Sequence, residues 1–102
     1  MGFRERYGRL TAEDSSTAAP LTVELDLGEE GRSVVEVIVT SDGAATFSVQ
    51  ESLDGLTYTE TESIVLSGAG TDKIGGLNAM RYIRVVSADA NDNEIKIVAA
   101  GQ

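Results

Sequence analysis

The chain has no cysteine, no histidine and no tryptophan, a single proline, and only two lysines beside six arginines. Without cysteine it can build neither a disulfide framework nor a thiolate metal site. Without histidine it lacks the commonest general base and the commonest transition-metal ligand. Chemistry would then fall to carboxylates and hydroxyls. The carboxylates on strand-like stretches, Glu24, Asp26, Glu36, Glu60 and Glu62, sit at positions where a solvated outer face is the default, and nothing singles out one pair of them. No serine or threonine has an activating base at a fixed spacing. No catalytic residue and no cofactor is expected. Long apolar runs are missing too: no segment approaches the length that spans a bilayer, and MGFRERYGRL has charges where a signal peptide needs an apolar stretch, so synthesis without Sec export is expected.

At 102 residues the chain holds one domain with a single core of modest size. Its formal charge is −9. Residues 1–20 balance Arg4, Arg6 and Arg9 against Glu5, Glu13 and Asp14, so residues 21–102 carry the whole excess. A field of that sign repels nucleic acid and anionic lipid, so neither is expected as a partner of the domain body. The skew toward Asp and Glu, with Arg in place of Lys, resembles proteins of high-salt environments, where dense carboxylates hold water and salt screens their repulsion.

The stretch FSVQESLDGLTYTE, Phe47 to Glu60, organises the remainder. Asp54-Gly55 between apolar-alternating runs reads as a tight hairpin turn, because it supplies the positive φ angles such a turn needs. With a two-residue turn, Phe47, Val49, Leu53, Leu56 and Tyr58 share a face; an added bulge residue moves Tyr58 to the other side. Ahead of it, Leu21, Val23, Leu25 and Leu27 alternate with Thr22, Glu24 and Asp26, and Val35, Val37 and Val39 alternate with Val34, Glu36, Ile38 and Thr40. Both read as strands with one buried face, joined as a meander. Ser63 to Leu66 is a further short strand, and Ser67 to Gly76 is rich enough in glycine to be read as a loop around Ile74. Met80 to Ser87 alternates Ile83 and Val85 against Tyr82, Arg84 and Val86, and a last strand alternates Ile95, Ile97 and Ala99 with Glu94, Lys96 and Val98. The expectation is an all-β protein, an antiparallel sandwich or jelly roll of seven or eight short strands over residues 21–102. Residues 1–20 sustain no period and read as an N-terminal arm ending at Pro20. The arm's Phe3, Arg4, Arg6, Tyr7, Arg9 and Leu10 mix apolar and basic side chains, which suits docking on a neighbouring subunit.

Three further groups are candidates for binding. Asp89, Asn91, Asp92, Asn93 and Glu94 concentrate hard oxygen ligands suited to Ca²⁺, but without the central glycine and distal glutamate of an EF-hand, and Asp and Asn are also ordinary turn residues. No metal is therefore assigned. Arg81 and Arg84 are three apart, hence on opposite faces of a strand, and are expected in separate ion pairs. Tyr58 and Tyr82 offer rings for stacking on a sugar, although core positions are the expectation in a chain with five aromatic residues.

The run Ser52-Leu53-Asp54-Gly55-Leu56-Thr57-Tyr58-Thr59, followed by a glycine-rich stretch and Ala79-Met80-Arg81-Tyr82-Ile83-Arg84-Val85, resembles the pattern of discoidin-like and fibronectin-like sandwich modules. That resemblance covers about half the chain, Phe47 to Val86, and specifies a fold more than a function. Such modules serve as carbohydrate-binding and cell-adhesion domains and as small virion proteins of tailed bacterial and archaeal viruses. Because the exposed tryptophans of sugar-binding members are missing, the resemblance implies first a non-enzymatic virion structural protein, a head decoration, turret or tail component. Such a protein would be made in the host cytoplasm and would assemble as a homo-oligomer, a trimer or other ring, with other virion proteins through sheet faces and the arm. A stand-alone carbohydrate- or cell-surface-binding module is the alternative.

Overall fold

A computed structural model describes residues 10–28, 34–78 and 81–99. Eight strands follow in chain order: β1 Leu10–Ser16, β2 Leu21–Asp26, β3 Val34–Ser41, β4 Ala45–Ser52, β5 Thr59–Leu66, β6 Gly70–Asn78, β7 Tyr82–Ser87 and β8 Asn93–Ala99. They form two antiparallel sheets, one ordered β1-β8-β3-β6 and the other β2-β7-β4-β5. That order is the eight-stranded jelly roll, in which successive strands pass from sheet to sheet. Among the described residues only β4 and β5 are both consecutive and paired, so the meander expected for β2 and β3 is replaced by a crossing between sheets.

Period-two alternation delivers the core. Val35, Val37 and Val39 of β3 and Ile95, Ile97 and Ala99 of β8 point inward from one sheet, all completely buried. Leu21, Val23, Phe47, Val49, Ile83 and Val85 meet them from the other. The sheets are locked together by burial of branched side chains on their inner faces, worth about 1.5–3 kcal/mol for each large side chain removed from water.

Three further expectations are corrected. Residues 10–16 are not part of an arm: β1 pairs with β8 over seven residues from Leu10↔Ala99 to Ser16↔Asn93, so the sandwich begins at Leu10. The glycine-rich stretch is a loop only at residues 67–69, because from Gly70 on β6 pairs with β3, Val34↔Asn78 to Ser41↔Gly70 across one bulge. The hairpin is wider than two residues, with β4 ending at Ser52 and β5 starting at Thr59. A register shift at Val49/Gln50 accompanies it, and this carries Tyr58 off the Phe47 side.

The register defines two ends. One holds the start of β1, the β4–β5 loop and the start of β7; the other holds the β1–β2, β3–β4, β5–β6 and β7–β8 loops.

Candidate functional site

Two surface features stand out, a polar and aromatic platform and a rigid apolar tip. The platform is the outer face of the β2-β7-β4-β5 sheet. Because Ile83 and Val85 point inward, Tyr82, Arg84 and Val86 point out. Register sets Arg84 between Glu24 of β2 and Gln50 of β4. Its Nε donates to Gln50 Oε1 at 2.7 Å, and its guanidinium lies 3.9 Å from the Tyr58 ring centroid, a cation–π contact worth about 0.5–1 kcal/mol at an exposed site. The Tyr58 hydroxyl donates to Glu24 Oε2. On the other flank Gln50 Nε2 donates to Ser48 Oγ at 3.0 Å, and Ser48 Oγ donates to Glu60 Oε1 at 2.5 Å. Hydrogen bonds, joined through the Arg84–Tyr58 cation–π contact, thus run across the sheet from Glu24 to Glu60.

Burial beneath Arg84 and the hydrogen bond to Glu24 push the Tyr58 hydroxyl up to about 12, since both favour the neutral phenol. In Glu24→Gln the hydrogen bond and the facing charge weaken together. An ultraviolet titration of tyrosinate should then show the highest-titrating tyrosine ionising at lower pH than in the wild type; an unchanged curve would break the Tyr58–Glu24 assignment.

The tip is the β4–β5 loop. Asp54 Oδ1 accepts from the backbone N–H of Leu56 at 2.8 Å and of Thr57 at 3.0 Å, and from Ser52 Oγ at 2.9 Å. These donors pull its carboxyl down to about 2. Buried Ser52 Oγ in turn accepts from the N–H of Asp54 and of Gly55. Gly55 has φ +78°, and a Cβ there would stand 3.2 Å from the Tyr82 ring; the loop therefore lies flat on Tyr82, and only glycine permits both the angle and the contact. Leu53 and Leu56 project from this braced turn at 73 % and 86 % exposure.

The residues singled out in the sequence distribute as follows. Tyr58 and Tyr82, expected in the core, are half-buried members of the platform, while Phe47 is the core's aromatic among the described residues. Arg81 pairs with Asp26 at 3.1 Å as expected, whereas Arg84 bonds to Gln50 and Tyr58 instead of a carboxylate. Glu24, Asp26, Glu36, Glu60 and Glu62 are all exposed.

The calcium candidates do not converge. Asp89 Oδ1 accepts from Asn91 N and Asn93 Nδ2, Asp92 Oδ1 from Ala18 N, Asn91 Nδ2 donates to Ala44 O, and Glu94 is exposed on β8. Burial is the largest influence on Asp89 and acts upward, but the donors Asn93 and Asn91 outweigh it, so its carboxyl lies below the usual value. Asp89 Oδ2 and Asn93 Oδ1 are buried without a hydrogen-bond partner, two oxygens where Ca²⁺ takes six or more. Among the described residues no three acidic, cysteine or histidine side chains form a metal-binding group. Of the arm candidates, Phe3, Arg4, Arg6, Tyr7 and Arg9 lie outside the described residues; Leu10 opens β1 and is 42 % exposed.

What sequence reasoning missed is the tip as a surface. Its signal was present in Leu53 and Leu56, which flank Asp54-Gly55 and which a two-residue turn would have turned toward the core.

No protein-family model and no curated protein sequence matches the chain. Solved structures share its fold. The PBSX exported protein XepA superposes with a TM-score of 0.63 at 16 % identity over 91 % of this chain, which spans 36 % of XepA. The SPBc2 prophage-derived protein YomS gives 0.57 at 10 % identity, over 90 % of this chain and 96 % of YomS. Chitosan-binding module 1 of a chitosanase/glucanase from Paenibacillus sp. IK-5 gives 0.56 at 18 % identity, over 83 % of this chain and 74 % of the module. The chain is a β-sandwich resembling an exported protein, a prophage-derived protein and a chitosan-binding module, and at these identities the likeness is one of fold.

Proposed function

We propose that this chain is a non-enzymatic structural subunit of a virus particle, a head-decoration, turret or tail component, that binds copies of itself and other particle proteins. The observation that carries this reading is the braced apolar tip. Two leucines held almost fully in water by a hydrogen-bonded turn are costly in a lone domain, and such a turn loses little conformational freedom when a partner covers it. One neighbour in fold is named as prophage-derived, and the charge of −9 suits a protein that avoids nucleic acid.

A second reading, a carbohydrate- or cell-surface-binding module, is favoured by the Tyr58–Arg84–Gln50 platform, where a ring and planar polar groups share one open face. Size-exclusion chromatography with light scattering separates the two on wild type and Leu53→Ser/Leu56→Ser. The structural reading expects a discrete wild-type oligomer, a monomeric variant and equal melting temperatures. Monomers throughout, together with glycan-array binding lost in Tyr58→Ala, would replace it with the second reading.

A further inference from the structure

The two ends of the sandwich differ in charge and in what they present. The β1–β2, β3–β4, β5–β6 and β7–β8 loops, residues 17–20, 42–44, 67–69 and 88–92, contain Asp42, Asp89 and Asp92 and no lysine or arginine. Asp42 and Asp92 are exposed and joined by two hydrogen bonds, Asp42 N donating to Asp92 O and Asp92 N to the Asp42 carboxylate at Oδ1. At this same end a shallow cleft of about 510 Å³ runs over Ala44, Ala45, Val65, Leu66 and Ala88, with Val65 63 % exposed. An apolar floor beside a purely acidic set of loops fits a ligand that is apolar and basic at once.

The chain carries such a segment. Residues 1–9, MGFRERYGR, combine Phe3 and Tyr7 with three arginines against one glutamate, a net +2. The segment joins the fold at Leu10, which pairs with Ala99 at the opposite end. Strands of eight residues carry the chain about 25 Å from end to end, and nine residues reach about 30 Å at full extension. Returning to its own cleft would consume the segment and leave nothing to lie in it. A second copy placed end to end meets the segment directly.

We propose that residues 1–9 of one copy dock in the acidic, apolar-floored cleft between the β3–β4 and β7–β8 loops of the next. The contact is head-to-tail, using different surfaces on the two copies, so it closes into a ring where the rotation permits. This deepens the structural reading above and rests on it.

Charge reversal tests it in the full chain. Arg4→Glu/Arg6→Glu turns the segment from +2 to −2, and Asp42→Lys/Asp92→Lys turns the loop set from −3 to +1. Each variant alone is expected to sediment as a monomer. An equimolar mixture puts opposite charges at every contact between the two variants, and is expected to associate again as alternating, even-numbered assemblies. Ala44→Lys/Ala88→Lys alters exposed cleft residues without removing a side-chain hydrogen bond, and is expected to weaken association even if the aspartate variant folds poorly; circular dichroism monitors the fold. If the single variants associate like wild type, or the mixture stays monomeric, the head-to-tail contact is overturned. If those variants leave an oligomer that Leu53→Ser/Leu56→Ser dissolves, the structural reading stands without this contact. A monomeric wild type removes both.

Discussion

Phe47→Ala is expected to lower stability by about 3–5 kcal/mol, a loss of roughly 15–30 °C in melting temperature for a domain of this size. Phe47 is completely buried near the start of β4, which is flanked by β5 and β7. It belongs to one apolar cluster with Val37, Val39, Ile95 and Ile97 of the opposite sheet. Truncation removes the ring's transfer free energy and leaves a cavity that two hydrogen-bonded sheets cannot close over. Total stability of a domain is only about 5–15 kcal/mol, so the variant stands near the limit of folding. Val65→Ala is the control, since Val65 is 63 % exposed on the outer face of β5 and its truncation should change stability by no more than about 0.5 kcal/mol. Thermal melts followed by circular dichroism compare the two. Equal shifts would mean that Phe47 does not anchor the core.

Asn93→Ala should cost about 1–3 kcal/mol through groups it leaves unpaired, despite removing little apolar volume. Asn93 is 2 % exposed at the start of β8. Its Nδ2 donates to Ser87 Oγ at 3.2 Å and to Asp89 Oδ1 at 2.8 Å, while Ser87 Oγ also accepts from Leu21 N at 3.2 Å. One amide therefore joins β7, β8, the start of β2 and the loop that carries Asp89. The effect depends on pH with a definite sign. Asp89 titrates below its ordinary 3.8 in the folded protein, so its ionised form contributes stability above that value, lost as pH falls through the folded value. Asn93 supplies part of that depression, so the deficit of the variant in urea unfolding should be largest near neutral pH and shrink below pH 3.8. A deficit that grows toward acid would show that Asn93 does not stabilise the carboxylate.

The sequence exposes those strands whose side chains carry the burial signal. β2, β3, β7 and β8 each bury alternate Leu, Val or Ile, and one-face burial imposes that period directly. β1 and β6 escape because few of their side chains enter the core and backbone pairing holds them. LTAEDSS places only Ala12 against the core, and GTDKIGGLN places Ile74 and Leu77 there across a bulge. A ladder of backbone hydrogen bonds leaves no trace in side-chain pattern. The site is legible in its parts but not in its sides. Ser52, Asp54 and Gly55 announce a turn, yet its width depends on one carboxylate accepting three donors. Tyr58 changes face with the Val49/Gln50 shift, and a one-residue slip of that kind inverts every side chain beyond it.

The most direct test of the account is sedimentation velocity of the unmodified full-length chain over a wide concentration range. Assembly through the leucine tip and the two dissimilar ends predicts a discrete oligomer, a trimer or another closed ring, that dissociates on dilution. A single compact monomer at every concentration would contradict it.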